Sequence, residues 1–183
     1  PVVVAALNGV VFFFPAGFLC VCLAMRGWVK DGPIYLPPVT IGDVLRAFAV
    51  GEIVKSNHPE YSVGEIVCGL FGWQRFAISD GANIMRRVKE TDLSPSLSLG
   101  VLGLNGITAY FGLLDVCNPQ VGEPFVVSTA AGAVGTCVGQ LDKIRGCKTV
   151  GLAGGWGQVG LCESECGYEQ DIYEKDGGDI QTG

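Results

Sequence analysis

An α/β chain in two parts, β-rich up to residue 121 and strand-helix-strand from 122, is predicted by three observations. The first is Val126-Val127-Ser128-Thr129-Ala130-Ala131-Gly132-Ala133-Val134-Gly135, an apolar run that breaks into a small-residue turn and then into a helical pattern over 133–144. The second is Cys147-Lys148-Thr149-Val150-Gly151-Leu152-Ala153-Gly154-Gly155, which reads as a second buried parallel strand ending in glycines. Strand, glycine turn, helix and strand together make a right-handed βαβ unit. The third is a set of short β-rich runs over 50–55, 63–68 and 74–79, separated by Asn-His-Pro and Gly-Leu-Phe-Gly punctuation.

Taken in order, residues 1–24 form an atypical apolar segment with no charge, reading Val-Val-Val, then Phe12-Phe13-Phe14, then Cys20-Val21-Cys22. The run is long enough to span a bilayer as a helix, with Arg26 and Lys30 at its cytoplasmic flank. A secretory signal fits poorly, because the charges follow the apolar stretch instead of preceding it. Pro15 and Gly17 interrupt it, and the preferred reading is an altered N-terminus of a soluble enzyme, not a membrane span. The three β-rich runs follow. Asp80-Gly81-Ala82-Asn83 then introduces a short helix carrying Arg86 and Arg87 on a solvated face, Ser94-Pro95-Ser96 starts another, and a further helix is expected over 106–116. The punctuation of Pro119 to Pro124 marks a domain boundary near Gly122, and a third parallel strand begins near 171–173.

Composition narrows the function. A chain of 183 residues holds one full domain, or a domain and a fragment. The net charge of -6 argues against nucleic acid as a partner, since phosphate binding needs clustered Lys or Arg and the only basic pair is Arg86-Arg87. Eight cysteines invite a disulfide or zinc reading, but Cys20-x-Cys22 and Cys162-x3-Cys166 do not make the paired Cys-x-x-Cys of a zinc ribbon. Reduced thiols in apolar surroundings, at Cys68, Cys117, Cys137 and Cys147, suit a cytoplasmic protein. The sole histidine, His58, sits between Asn57 and Pro59 in a turn, and one imidazole without partners does not make a usual zinc site.

The glycine turn carries chemistry of its own. Gly132 has no side chain to block a pyrophosphate, Gly135 lets the helix pack close to the strand, and free amides at a helix start face an anion. Ala130 stands where the first glycine of G-x-G-x-x-G would be, so the string alone leaves nucleotide binding and an ordinary α/β turn both open. An NAD site places a carboxylate about 20 residues past the glycines. Here that region reads Leu152, Ala153, Gly154 and Gly155, which leaves room for a 2′-phosphate, although no Lys or Arg lies between 149 and 174.

Val101-Leu102-Gly103-Leu104-Asn105-Gly106-Ile107-Thr108-Ala109-Tyr110-Phe111-Gly112-Leu113-Leu114-Asp115 lies just upstream of that turn. With Met25-Arg26-Gly27-Trp28, Tyr35-Leu36-Pro37-Pro38, Ser56-Asn57-His58-Pro59 and Val138-Gly139-Gln140, it resembles the zinc-independent medium-chain reductases. The nearest subgroup is the NADPH-dependent alkenal/one, prostaglandin and curcumin reductases. The match runs in family order from Met25 to Gly155, and upstream of it a family-like strand begins only at Gly17. It implies a GroES-like partial β-barrel catalytic domain over 25–121, then the N-terminal part of a Rossmann NADP-binding domain over 122–183, within a protein nearly twice this length. It also implies reduction of the activated C=C bond of an α,β-unsaturated aldehyde or ketone by hydride transfer, with a homodimer as a further option. A truncated, non-catalytic relative that binds or oligomerises, and a membrane-anchored one, are the alternatives.

By resemblance, Gly132, Ala133, Val134 and Gly135 contact the pyrophosphate, Leu104 and Thr108 lie near the nicotinamide, and Gly154 and Gly155 approach the adenosine ribose. The family's 2′-phosphate lysine aligns with Gln158, and its adenine-side tyrosine with Tyr173. Asp-Pro-Tyr-Met-Arg-Gly of the family has become Cys22-Leu23-Ala24-Met25-Arg26-Gly27, so Ala24 replaces a pocket tyrosine. No catalytic residue and no metal ligand is assigned. Among the aromatic residues, Phe111 is expected in the core, Tyr110 stays open between core and cofactor, and Trp28 and Trp73 are open between packing and a substrate slot.

Overall fold

The computed structural model describes residues 12–30, 36–174 and 180–182. Contacts divide the chain into two compact units, one ending at Leu99 and the other beginning at Gly100. This division falls ahead of the helix at 104, whereas the proline and glycine punctuation near Gly122 falls behind it.

In the first unit the apolar N-terminal segment is extended where it is described. Strands β1 (Phe12–Pro15) and β2 (Phe18–Leu19) precede a five-residue helix, α1 (Ala24–Trp28). The bilayer-spanning reading therefore does not describe residues 12–24, and no described helix is long and apolar enough to cross a membrane. The physical reason is local. Aromatic residues suit a pleated strand, and Pro15 and Gly17 break any helical ladder between them. Residues 1–11 of that segment lie outside the described residues.

Strands β3 (Phe48–Glu52), β4 (Lys55–Ser56), β5 (Ile66–Leu70), β6 (Phe76–Ser79) and β7 (Ile84–Val88) complete two antiparallel sheets, in the orders β4-β1-β6 and β2-β3-β5-β7. They realise the partial barrel around a core of Phe12, Phe14, Ala49, Ile53, Val67, Phe71 and Ala77. Phe14 meets Phe71 edge-on, with ring centroids 4.6 Å apart. A Cβ on Gly51 would lie 2.1 Å from the Pro15 carbonyl oxygen, so β1 and β3 approach this closely only because residue 51 is glycine.

The stretch 84–88 corrects one expectation. It is β7, not a helix, because Ile84 to Val88 pairs with β5 from Gly69 back to Ile66 and the preceding Asp80-Gly81 closes a turn. Asp80 Oδ1 accepts the Ala82 amide at 3.0 Å and Gly81 adopts φ +91°. The solvated helix face is corrected with it. Arg86 Nη2 donates to both oxygens of Glu90, at 2.6 and 2.7 Å, and the Arg87 guanidinium lies 4.3 Å over the Tyr61 ring. A short 3-10 turn, Pro95–Leu99, ends the unit.

The second unit opens with α2 (Leu104–Phe111), which continues as a π-helical segment, Gly112–Cys117, closed by Asn118 in the left-handed conformation. The parallel strands β8 (Pro124–Ser128), β9 (Lys148–Ala153) and β10 (Gln170–Glu174) alternate with α3 (Gly135–Arg145) and α4 (Trp156–Glu165), and β11 (Ile180–Thr182) pairs antiparallel with β10. Phe125, Val127, Thr149, Gly151 and Ala153 alternate with Val126, Val150 and Leu152 along β8 and β9; Thr149, Gly151 and Ala153 are buried, Phe125, Val127, Val150 and Leu152 are half-buried, and Val126 is exposed. Val127 and Ala153 pack with Ala130, Cys162, Cys166 and Tyr168, so the core lies on the α4 face. The opposite face leaves Val126 58 % exposed. Among the described residues β8 pairs with β9 alone.

Asp142, fully buried on α3, ties the helix to β9. Its Oδ2 accepts the Thr149 hydroxyl at 2.9 Å, while its Oδ1 has no partner among the described residues.

Candidate functional site

The glycine turn is built from the end of β8. Ala130 donates its amide to the Leu152 carbonyl at 3.0 Å, which anchors the turn to the neighbouring strand. Thr129 adopts φ +55°, a left-handed conformation that few residues other than glycine take. The Gly132 amide then closes on the Thr129 carbonyl at 2.8 Å, and Thr136 donates to Gly132 at 2.8 Å as the helix begins. The helix starts at Gly135, two residues later than the hydrophobic pattern suggests, because the turn occupies 129–134. Val134, its N-cap, makes no side-chain cap bond. Among the described residues the amides of Ala133, Val134 and Gly135 make no backbone hydrogen bond. Three amides without backbone partners at a helix start are an arrangement able to receive an anion.

Close packing requires Gly135. A Cβ there would lie 2.5 Å from the Thr129 oxygen and 2.6 Å from the Ala130 oxygen. At Gly132 the nearest atom would be the Thr129 oxygen at 3.0 Å, so that position is tight and also faces the turn.

Gly154 and Gly155 follow β9 and lead into α4, with Gly155 extended as its N-cap. Gln158 donates its amide to the Gly155 carbonyl at 2.8 Å. Its Oε1 lies 3.9 and 3.8 Å from where Cβ atoms of Gly154 and Gly155 would stand, and among the described residues, chain neighbours aside, no other atom comes within 4 Å of either position. Tyr173 in β10 pairs in register with Ala153, the last residue of β9. Gly132, Ala133, Val134, Gly135, Gly154, Gly155, Gln158 and the backbone of Tyr173 thus line the carboxyl edge of three adjacent parallel strands. Ligands of open α/β sheets bind at that edge.

Leu104 and Thr108 lie apart from that edge, on α2. Both are exposed, and the Thr108 hydroxyl donates to the Leu104 carbonyl at 2.7 Å, leaving its oxygen as an acceptor. Helix α2 packs against α3, whose first residue ends the glycine turn. Gly106 makes the entry to α2 possible, since a Cβ there would lie 1.7 Å from the Val101 oxygen. Between α2 and α3 runs an apolar groove of about 510 Å³, lined by Ile107, Tyr110, Phe111, Leu141 and Ile144 among others. Phe111 is therefore not a core residue. It is 52 % exposed, because its side chain lines this groove. Trp28 is buried against Met25 and Ala47, and Trp73 is half exposed.

Two features of the site escaped the sequence. Thr129 in a left-handed turn has no composition signal. Tyr168, whose hydroxyl donates to the Gly135 carbonyl at 2.7 Å, was marked only by Gly167-Tyr168 following an apolar helix.

The histidine and the thiols have roles of their own. His58 Nδ1 accepts the Glu60 amide at 3.1 Å and its ring packs on Phe12 and Tyr61, a turn role. The eight cysteines form no disulfide, and Cys117 is exposed, against the expectation of apolar surroundings, because it ends the π-helical segment beside the turn at Asn118. Burial pushes the Cys68 thiol up to about 11, with nearby Arg86 opposing the shift. Burial also raises Cys20, reinforced by Cys22, raises Cys137, and raises Cys147, where the Asp142 carboxylate adds to it. Such thiols stay protonated at neutral pH and make poor nucleophiles. Among the described residues no three His, Cys, Asp or Glu side chains are placed to hold a metal ion.

Comparison with known proteins points the same way. Residues 7–86 match the family described as the N-terminal domain of oxidoreductase. That match begins ahead of Gly17, where a family-like strand was expected to start, and β1 is part of it. The NADPH-dependent curcumin reductase of Escherichia coli is 49 % identical over 131 residues, spanning 72 % of this chain and 38 % of that protein. Prostaglandin reductase 1 of Sus scrofa is 44 % identical over 130 residues, 70 % of this chain and 39 % of its own length. The crystal structure of CurA from Vibrio vulnificus in complex with NADPH superposes with a TM-score of 0.82 at 39 % identity, over 91 % of this chain and 49 % of that one. The chain spans less than half the length of each.

Proposed function

The chain belongs to the zinc-independent medium-chain dehydrogenase/reductases, beside the alkenal/one, prostaglandin and curcumin reductases, and on that premise we propose that it binds NADPH along the carboxyl edge of β8, β9 and β10. The reaction it serves is reduction of the activated C=C bond of α,β-unsaturated aldehydes and ketones.

One observation carries the reading: the 129–135 turn presents three amides without backbone partners beside glycines that keep side chains out of the way. The residues fit the cofactor. The amides of Ala133, Val134 and Gly135 receive the pyrophosphate as hydrogen-bond donors, and Gly132, whose own amide closes the turn, leaves room for it. At the end of β9, Gly154 and Gly155 leave space for the ribose, and Gln158 supplies a neutral amide where a 2′-phosphate would lie. The absence of a carboxylate there favours NADPH over NADH. Thr108 offers its oxygen as an acceptor near the nicotinamide. When bound, NADPH supplies the hydride. The protein's part is to hold the nucleotide rigidly and to exclude water from the reacting faces.

Titration of the purified chain with NADPH by fluorescence, with NADH alongside, tests the proposal. Saturable binding selective for NADPH is expected, followed by loss of NADPH absorbance when a 2-alkenal is added. No saturation up to the millimolar range would reject the nucleotide site.

A further inference from the structure

We propose that Tyr168 is a positioning residue for the nucleotide turn, holding the first residue of α3, and through it the 129–135 turn, in the shape that receives a phosphate. This rests on the nucleotide-binding reading above.

The contacts form a chain. Tyr168 is buried in the loop after α4, and its hydroxyl donates to the Gly135 carbonyl at 2.7 Å. Its ring lies on α3 one turn further on, where a Cβ at Gly139 would come 2.6 Å from ring atom Cε2 and 2.4 Å from the Cys166 oxygen. Gly167, at φ +85°, also brings the loop close from its own side, since a Cβ there would lie 3.2 Å from the Gly139 oxygen. The loop therefore rests on the bare backbone of α3 with no side chain between them. Gly135 also touches the turn, with the Thr129 and Ala130 oxygens 2.5 and 2.6 Å from its absent Cβ. Gly135 is thus held both by the Tyr168 hydroxyl and by its close packing on the turn carbonyls. A shift of α3 along its axis would require breaking the hydroxyl bond and would carry the free amides of Ala133, Val134 and Gly135 with it. Preorganised donors bind an anion more tightly than donors that must be ordered on binding.

The test is Tyr168→Phe, which keeps the ring over Gly139 and removes only the donor. NADPH affinity and amide hydrogen exchange over 132–136, the latter without ligand, are compared with wild type at a temperature well below melting. An unchanged circular dichroism spectrum, NADPH binding weaker by about 3- to 10-fold and faster exchange at 132–136 by a similar factor are expected. A purely structural role would lower Tm and leave both readouts within about 1.5-fold of wild type, below the worth of one hydrogen bond; that result overturns the assignment. Wild type that itself fails to bind NADPH defeats the nucleotide reading and the role with it. That outcome is distinguishable from failure of Tyr168 alone, in which wild type and Tyr168→Phe bind equally well.

Discussion

Replacing Gly135 by alanine sets a methyl group 2.5 Å from the Thr129 oxygen, 2.6 Å from the Ala130 oxygen and 2.9 Å from the Ala130 carbonyl carbon. All three are backbone atoms of a turn pinned to β9 by the bond from Ala130 to Leu152. An ordinary C···O separation is about 3.3 Å, so the turn or the helix must yield by about 0.8 Å. Overpacking of this kind costs about 1–3 kcal/mol, and the helical preference of alanine over glycine returns at most about 1. Gly160 is the matched control. It lies in mid-helix in α4 with open space, nothing within 4 Å, where a Cβ would stand, so Gly160→Ala is expected to stabilise by about 0.5–1 kcal/mol. Urea unfolding of the two variants should therefore differ by about 2 kcal/mol in opposite directions from wild type. NADPH titration should show at least a roughly tenfold loss for Gly135→Ala, about 1.4 kcal/mol, and none for Gly160→Ala. Equal stability of the two variants, or unaltered NADPH binding by Gly135→Ala, would refute the close-packing account of the turn.

Further consequences follow from charge and burial. Gln158→Lys places a cation beside Gly154 and Gly155, and the ratio of NADPH to NADH affinity should rise by about tenfold and shrink again at high salt; an unchanged ratio would remove residue 158 from the 2′-phosphate position. Cys68 is protonated in both folded and unfolded chains below its ordinary value of 9.0, but between there and about 11 only the unfolded thiol ionises. Stability should therefore fall as pH rises through that window, and urea unfolding of Cys68→Ala should show a shallower alkaline decline than wild type. Thr149→Val leaves the buried Asp142 carboxylate without its hydroxyl donor, so a loss of about 1–3 kcal/mol in urea unfolding is expected; a neutral outcome would mean that the α3–β9 tie contributes nothing.

Much of the second unit was legible because its signals are local. An apolar run, small residues and a helical period mark β8, the turn and α3, and the glycines at 154 and 155 mark the end of β9. The first unit was less so. Ile84-Met85-Arg86-Arg87-Val88 carries two long cations that suit a helix equally well, and only hydrogen bonding to β5 decides it as a strand. Phe111 shows the same limit from the other side. An aromatic residue on an apolar helix reads as core, yet which face meets a partner depends on how α2 lies on α3, and here that leaves a groove.

By itself the sequence determined the order of strands and helices around the turn and the family, because both are carried by short strings of residues adjacent in the chain. The tertiary structure alone decided that the apolar N-terminal segment, where described, supplies strands to a sheet and that Thr129 turns left-handed. It also decided that Tyr168, 33 residues beyond Gly135, closes on that glycine's carbonyl. Those outcomes depend on contacts between segments far apart in the chain, and their energy appears only once the backbone has brought them together.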